Sequence, residues 1–388
     1  MQKKLMALAV AGALGAPAMV MAQASTVQIY GRITYEYGIM DQGAGRPSTD
    51  YADSPGGSAI GFRGEEKLGG GLSAWFQCES SADVRAMDQT GWCTRNSAVG
   101  FKGGFGNIHF GRWDTPMKRA LNVGTVGAEE TGILGMSFLP FGGSGGADAT
   151  ASADGAQRQR WKRREAGLTY YQSPKFGGFQ VLAAFGSGNW AADTAAVDAT
   201  ANKKPRVISL AGIYEAGPLG IGIAYERHNQ FGAHAPVVAA DADDRAWGAS
   251  VAYTFGNIKV GATYLDAKYE TGIGMELKKR TATVGVEWNI AGPHSIEAQY
   301  GWAGDSKGNS TVGIGGNGGS AATGPDTGGD QFSIAYNYNF SKRTRIKIAY
   351  VRVDNDANTR TYRIGNSAAL LNNGENVDAF GIHIGHRF

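Results

Sequence analysis

Apolar and polar residues alternate in short segments along almost the whole chain, and the alternation runs to its last residue. Near the carboxy terminus, Phe380, Ile382 and Ile384 share one face of an extended strand, and Phe388 continues that face with His386 as its polar member. Successive side chains of a strand point to opposite faces, so this tail predicts a strand with one apolar face. An edge strand of a soluble sheet would show the same pattern, and the rest of the chain must decide between them.

The same alternation occurs in sixteen segments, which is the pattern of a large antiparallel sheet. In the first segment, Val27 to Met40, Ile29 and Tyr35 lie on one face and Arg32 and Glu36 on the other. Short connections rich in Gly and Pro alternate with long polar or Gly-rich ones. The long connections include residues 41–57, 115–160, 189–205, 304–329 and 355–376. This alternation of short and long connections favours an even-stranded transmembrane barrel over a soluble β-sandwich, in which short and long loops do not alternate regularly.

The composition agrees with a barrel whose apolar residues face lipid. The chain has 388 residues, of which 60 are Gly, and it is 10% aromatic and 18% charged, with a mean hydropathy of −0.26. It is too polar for a helical membrane protein and too poor in Leu for a large dry core. A transmembrane β-barrel satisfies both constraints because its apolar residues face lipid and its polar residues line water.

The amino terminus has the features of a secretory signal peptide. Lys3 and Lys4 precede an apolar run that ends at Ala22 and is broken by glycines and Pro17. We expect a signal peptide over residues 1–22, with cleavage after Ala22 or Ala24, and a barrel domain over 23–388. A transmembrane anchor helix fits less well because the run is short and interrupted. The formal charge of +3 falls to +1 without the two lysines, which gives no support for nucleic-acid binding.

The two cysteines, Cys78 and Cys93, flank an expected hairpin loop. Export to an oxidising compartment predicts a disulfide between them. Closing a loop of about 15 residues would stabilise the fold by roughly 3 kcal/mol in the chain-entropy model. Two unpaired thiols are the alternative.

Sequence signatures of catalysis and metal binding are absent. The chain contains no HExxH, paired CxxC or P-loop pattern, and its six histidines are scattered singly. Asp354, Asp356 and Asn358 copy the start of a calcium loop, but Thr359 replaces its turn glycine. A solvated loop is therefore favoured there, with a weak external cation site as the alternative. We expect no enzyme activity, no cofactor and no resident metal.

The longest loop, residues 115–160, lies between clusters of charged residues. Arg112, Lys118 and Arg119 precede the acidic pair Glu129 and Glu130. The basic residues that follow are Arg158, Arg160, Lys162, Arg163 and Arg164. A loop this long in a compact fold is usually functional. If it folds back into the barrel, its acidic pair faces a basic wall across water; a solvated external face is the alternative.

Taken together, these motifs resemble the trimeric general porins of Gram-negative outer membranes, particularly the betaproteobacterial and neisserial branch. The resemblance rests on the order of VQIYGRI, AIGFRGEEKLGGGLSAWFQCE, NSAVGFKGGFGNIHFGRWDTP, YYQSPKFGGF and the aromatic terminal strand. It implies a 16-stranded antiparallel barrel with short periplasmic turns, long external loops and a third external loop folded into the lumen. It also implies a homotrimer through which small hydrophilic solutes diffuse passively. The barrel assembly machinery reads an aromatic terminal residue in this family, which gives Phe388 that role.

The resemblance also implies which residues form the constriction. Arg112 in FGRWDTP and Arg163, alone or with Arg164, in RREAGLTYY match basic residues of the wall, and Glu129 and Glu130 match acidic residues of the loop.

Two departures from the family pattern affect this assignment. Ala59 stands where the family often has an arginine, so either the basic wall is one residue short or Arg32 or Arg63 supplies the missing basic residue. Alternation places Arg112 in phase with Phe110, towards lipid or the subunit interface, unless a bulge shifts the phase. Lys118 and Arg119 complete the predicted constriction.

The sequence therefore predicts an outer-membrane porin whose selectivity depends on the charged constriction. Basic residues exceed acidic ones around the long loop, which favours a mild preference for anions. The expected partners are further copies of the chain, outer-membrane lipid including lipopolysaccharide, and the barrel assembly machinery. An adhesin or structural barrel with a plugged lumen is the alternative, and a barrel enzyme is a weaker one because no catalytic constellation is evident.

Overall fold

The computed structural model of the protein describes residues 27–388 except 42, 44, 54–57, 85–90, 127–160, 162, 188–205, 230–242, 273, 312–322, 361, 363 and 365–371. The predicted signal peptide, residues 1–22, lies outside the described residues, and its cleavage site stays a prediction.

The described residues form one antiparallel sheet and one short helix. The first part of the chain contributes β1 (Gln28–Asp41), β2 (Thr49–Asp53), β3 (Ala59–Gly69), β4 (Leu72–Ser81), β5 (Ser97–Gly103), β6 (Gly106–Asp114), the helix α1 (Pro116–Gly124), β7 (Arg164–Gln172), β8 (Phe179–Ser187) and β9 (Arg206–Ala216). The second part contributes β10 (Leu219–Asn229), β11 (Asp244–Phe255), β12 (Ile258–Gly272), β13 (Met275–Ala291), β14 (His294–Ala303), β15 (Lys307–Gly308), β16 (Gly329–Asn339), β17 (Thr344–Asn355) and β18 (Val377–Arg387).

The sheet closes on itself through β1. This strand pairs with β18 on one side, where Tyr35 lies opposite Ile384, and with β3 on the other, where Tyr30 lies opposite Gly61. The short strand β2 pairs with β1 beyond the end of β3, and the short strand β15 pairs with β13 beyond the end of β14. Sixteen strands therefore span the barrel, as the sequence predicted. Closure leaves no unpaired sheet edge, which is what a lipid environment requires.

Alternation along the strands separates an apolar outer face from a polar inner face. On β11, Trp247 and Val251 are exposed on the outside, whereas Ala246 and Ser250 are buried on the inside. On β18, Phe380, Ile382 and Ile384 are exposed on the outer face, and Phe388 extends that face, as expected. A transmembrane barrel presents this apolar belt to lipid.

The connections at one end of the barrel are tight turns, and those at the other end are mostly long. Gly70 and Gly71, for example, join β3 to β4 with φ angles of 57° and 79°, which glycine adopts without steric cost. One connection on the long-loop side departs from this rule. Strands β12 and β13 have 15 and 17 residues and meet in a tight hairpin in which Gly272 lies opposite Met275. In the described part of the chain, no helix is long and apolar enough to cross a bilayer.

Candidate functional site: the lumen and its helix

The long loop after β6 begins with the helix α1. Thr115 precedes it in an extended conformation, and its side-chain oxygen accepts a 3.4 Å hydrogen bond from the backbone N–H of Lys118. Pro116 occupies the first turn, where its missing N–H has no intrahelical partner to lose. A Thr-Pro pair is a common helix start, so this boundary follows from local sequence chemistry.

The helix lies on the inner wall of the barrel. Its buried face, which includes Met117 and Leu121, packs against β9 to β12. Ser209 on β9 accepts a 3.1 Å hydrogen bond from the backbone N–H of Met117. Ser250 on β11 donates a 2.6 Å bond from its hydroxyl to the backbone carbonyl oxygen of Ala120. All of these wall residues are on inward-facing positions of their strands, so α1 occupies the lumen.

Glycines in the wall allow this close approach. A Cβ atom added to Gly222 on β10 would lie 2.3 Å from the carbonyl oxygen of Ala120. A Cβ atom on Gly261 of β12 would lie 2.3 Å from the carbonyl oxygen of Gly124. Real Cβ atoms do not approach oxygen this closely, so larger residues would push the helix off the wall.

The chain that returns from the loop is fixed to the same wall. The indole N–H of Trp161 donates a 2.8 Å hydrogen bond to the hydroxyl of Tyr269, and its ring stacks on His228 with centroids 4.5 Å apart. His228 in turn is 2.8 Å from a carboxylate oxygen of Glu226, which lies near the hydroxyls of Ser209 and Thr115. At the other side of the loop, Val126 packs near Gly261 and Gly285. Val126 and Trp161, the described residues on either side of 127–160, therefore both lie inside the barrel.

A charged cluster joins the base of α1 to the strands on either side of the loop. The carboxylate of Asp114 is 2.6 Å from the ammonium of Lys118 and 3.2 Å from the guanidinium of Arg164. Asn96 donates to Asp114 at 3.0 Å and accepts from Nε of Arg164 at 2.6 Å. Burial lowers the pKa of Lys118, and the negative charge of Asp114 opposes this effect. The cluster holds two cations around one carboxylate.

Further charges line the neighbouring wall. Nε of Arg95 is 2.7 Å from Glu79, whose carboxylate also accepts a 3.1 Å hydrogen bond from Tyr30. The guanidinium of Arg63 lies 5.0 Å from the centroid of the Tyr30 ring and donates a 2.9 Å bond to Gln28. Arg63 is exposed and its partners among the described residues are neutral, so no described carboxylate pairs with its positive charge.

The remaining basic residues predicted for the constriction occupy different environments. Arg119 is exposed on the free face of α1 and forms no ion pair within the described residues. Arg163 is buried and contacts Glu165. Arg32 lies on an inward-facing position of β1, opposite Ala59 and Arg387.

Arg112 keeps the outward phase of Phe110. A β-bulge does occur between Gly111 and Trp113, but its additional residue lies on the partner strand β7, where Gly167 has a φ of 65°. The bulge therefore leaves the phase of Arg112 unchanged. Arg112 lies opposite Ser97 and within electrostatic range of Arg164. Its assignment to the constriction stays a prediction, as do those of Glu129 and Glu130, which lie outside the described residues.

Several lumenal residues were not singled out from the sequence. Glu226 anchors the loop together with His228, and Asp114 neutralises part of the basic cluster around the loop. Elsewhere on the wall, Lys347 contacts Glu297, and His383 is 3.2 Å from Glu36. Strand alternation alone places both of these ion pairs on the inner face. The alternating positions of the four residues along their strands could therefore have identified them from the sequence.

The loop between β4 and β5 is closed covalently. Cys78 and Cys93 form a disulfide with their Cα atoms 4.7 Å apart, which confirms the pairing expected from the sequence.

Comparisons with known proteins agree with this architecture. A family model described as Gram-negative porin matches residues 7–358. The chain is 29% identical over 397 residues to outer membrane porin protein 32 of Delftia acidovorans, with all of both chains covered. It is 27% identical to major outer membrane protein P.IB of Neisseria meningitidis, over 65% of this chain and 78% of that protein.

Two solved structures show the same fold. An anion-selective porin from Comamonas acidovorans superposes with a TM-score of 0.74 at 23% identity, over 94% of this chain and 100% of that one. The trimer form of OmpT, an outer membrane protein of Vibrio cholerae, superposes with a TM-score of 0.63 at 18% identity, over 94% and 100% of the two chains.

Proposed function

The chain belongs to the Gram-negative porin family and is an integral outer-membrane β-barrel channel, and from that premise we propose that the loop containing α1 forms its charged constriction. The observation that carries the proposal is the fixed position of α1 on the inner wall, with Ser250 bonded to Ala120. A segment held there narrows the passage and brings its charges close to permeating ions. The family indicates a channel rather than an enzyme.

The basic side of the constriction is proposed to include the wall opposite the helix. In the closed order of the sixteen strands, β1 lies eight strands away from β10, and β3 lies eight strands away from β11. Strands β10 and β11 carry the helix, so β1 and β3 are on the opposite wall. Arg32 and Arg63 face inwards on β1 and β3. Arg119, on the free side of α1, is proposed to face them across the lumen. Glu129 and Glu130 follow Val126 closely in sequence and would supply the acidic side of the transverse field.

A mild preference for anions is proposed from the unpaired cations. Arg119 is exposed without an ion pair to a described residue, and Arg63 has only neutral partners. Positive charge in a narrow, low-dielectric passage attracts anions and repels cations. The fold is also that of a porin described as anion-selective. Reversal potentials across a salt gradient in planar bilayers test the proposal. A reversal potential whose sign indicates preferential permeation of anions supports it, and clear cation preference contradicts it.

Small hydrophilic solutes are the proposed cargo, and a homotrimer is the proposed assembly. The trimer form of a protein with the same fold supports the assembly. Unheated detergent electrophoresis tests it, because a band at the size of the monomer alone would contradict a stable trimer. Outer-membrane lipid, including lipopolysaccharide, is the proposed surrounding partner of the apolar belt.

Phe388 is proposed to carry the assembly signal as well as to close the barrel. Its backbone N–H donates a 3.0 Å hydrogen bond to Gly31, and its carbonyl oxygen accepts one of 3.1 Å from the same residue. The side chain is 44% exposed on the outer face. Deletion of Phe388 should reduce the yield of assembled barrel in cells, whereas an unchanged yield would exclude a role in recognition by the assembly machinery.

A further inference from the structure

Four basic residues form a row on the outer face of the barrel near the long-loop end. Arg227 on β10 lies directly opposite Arg245 on β11, which lies opposite Lys268 on β12, which lies opposite Lys278 on β13. Like charges at directly opposed positions destabilise a sheet. The alignment of four cations is therefore unfavourable unless carboxylates or a ligand of opposite charge offset it.

Neighbouring carboxylates compensate three of the four members of this row. Arg227 is 2.6 Å from Asp243, and Lys278 is 2.7 Å from Glu276, which also contacts Lys268. Arg245 lies between them, is exposed, and forms no ion pair with any residue that the structure describes. The centre of the row therefore presents to the outside of the barrel a guanidinium that no carboxylate of the described residues pairs with.

The row lies at the upper boundary of the apolar belt. Immediately below it, the rings of Tyr225 and Trp247 pack with centroids 4.5 Å apart, and Trp247 is 60% exposed. Aromatic residues of this kind mark the membrane interface in transmembrane barrels. From Arg245 to Phe255, at the opposite end of β11, a tilted strand of this length rises about 25 Å, which is the height of the apolar band. The basic row is thus level with the lipid headgroups of the outer leaflet.

The charge at this level is not uniform around the barrel. On β16, β17 and β18, the outward-facing residues beyond the aromatic side chains include Asp330, Asp354 and Asp378. Only Arg352 adds a positive charge there, and it is paired with Asp354 at 2.8 Å. The basic row on β10 to β13 is therefore a local feature and not a general property of the rim.

We infer that the outward face of β10 to β13 binds the phosphate groups of outer-leaflet glycolipids, with Arg245 as the central contact. Guanidinium groups bind phosphate through paired charge-assisted hydrogen bonds, and the aromatic pair below would pack on the acyl chains. This inference rests on the proposed outer-membrane lipid partnership and assigns it to particular residues. The lipid would contact the outside of the barrel, so the site is separate from the lumen.

The test compares lipid binding by the purified, folded protein and its variants. The probe is bisphosphorylated lipid A, and the reference probe is the same lipid with both phosphates removed; affinity is measured by titration with native mass spectrometry. We expect Arg245→Gln to weaken binding of the phosphorylated lipid about fivefold, and the pair Arg227→Gln and Arg245→Gln about 25-fold, since each cation near an anionic surface contributes about that factor. Binding of the dephosphorylated lipid should not change.

Arg352→Gln is the matched control, because it removes an outward-facing arginine at the same level on β17. It should bind lipid A as the wild type does. Heat-modifiable migration and single-channel conductance must match the wild type in every variant, which separates a failure of this inference from a failure of the channel. Phosphate-dependent binding that is equal in the wild type and the Arg245 variants would overturn the assignment to the row. No phosphate dependence in the wild type would overturn the lipid partnership as well.

Discussion

The hydroxyl of Ser250 on the barrel wall donates a 2.6 Å hydrogen bond to the backbone carbonyl oxygen of Ala120 in the lumenal helix. This contact joins two residues that are 130 positions apart in the chain. It occurs at the middle of α1, where the helix passes over wall glycines. The pore-lining position of the loop therefore depends on a few close contacts between small residues.

Ser250→Ala removes this hydrogen bond and leaves a buried carbonyl oxygen without its side-chain partner. We expect a loss of about 1 kcal/mol in the free energy of unfolding and increased current noise as the helix moves on the wall. Thermal unfolding and single-channel recording measure the two effects. Ser333→Ala on β16 is the matched control, since Ser333 also faces inwards and has no hydrogen bond to a described side chain. Equal noise in both variants would contradict a role of Ser250 in fixing the helix.

Gly222→Ala places a Cβ atom 2.3 Å from the carbonyl oxygen of Ala120, so the helix must move away from the wall. We expect a changed single-channel conductance and a lower temperature of unfolding. Gly104→Ala is the control, because a Cβ atom there meets open space in a turn. If the conductance of Gly222→Ala equals that of the wild type, the helix does not limit the passage of ions.

Arg119→Ala removes an exposed positive charge from the free face of α1. One charge at a few ångströms in an aqueous pore is worth about 1 kcal/mol, so the ratio of anion to cation permeability should fall about two- to fivefold. Reversal potentials in a salt gradient report this ratio. Lys342→Ala removes the same charge from an exposed turn outside the barrel and should have little effect. A similar change in both variants would show that the charge acts from a distance and not at the constriction.

Asp114→Asn releases Lys118 and Arg164 from the carboxylate that both of them contact. We expect stronger anion preference, because positive charge in the lumen is no longer compensated. Loss of charged hydrogen bonds should also lower the free energy of unfolding by about 2 kcal/mol. Asp354→Asn is the control, since it breaks an ion pair with Arg352 on the outer face. Unchanged reversal potentials in Asp114→Asn would place this cluster away from the ion path.

Most of the barrel could be predicted because strand alternation is a local property of the sequence. The outward positions of Phe380 and Ile382 follow directly from their spacing, as does closure by the terminal strand. The helix α1 was missed although Thr115 and Pro116 form a recognisable start. A loop between two strands gave no reason to look for a helix cap there.

The charge pattern of the lumen was harder to predict because it depends on pairs that are distant in sequence. Asp114 and Arg164 are fifty positions apart, and only the pairing of β6 with β7 brings them together. Counting charges around the loop therefore overestimated the free positive charge. Arg112 illustrates a second limit, since the sequence indicated an irregularity near it but not on which strand the additional residue would lie.

The most direct test of the central claim is the single-channel current of Asn122→Cys before and after modification with a negatively charged thiol reagent. Asn122 is exposed on the free face of α1, and both native cysteines are in a disulfide, so the new thiol is unique. If α1 lines the water-filled passage, the conductance should fall in discrete steps as each channel is modified. Complete modification, verified by mass spectrometry, with no change in conductance would contradict the account.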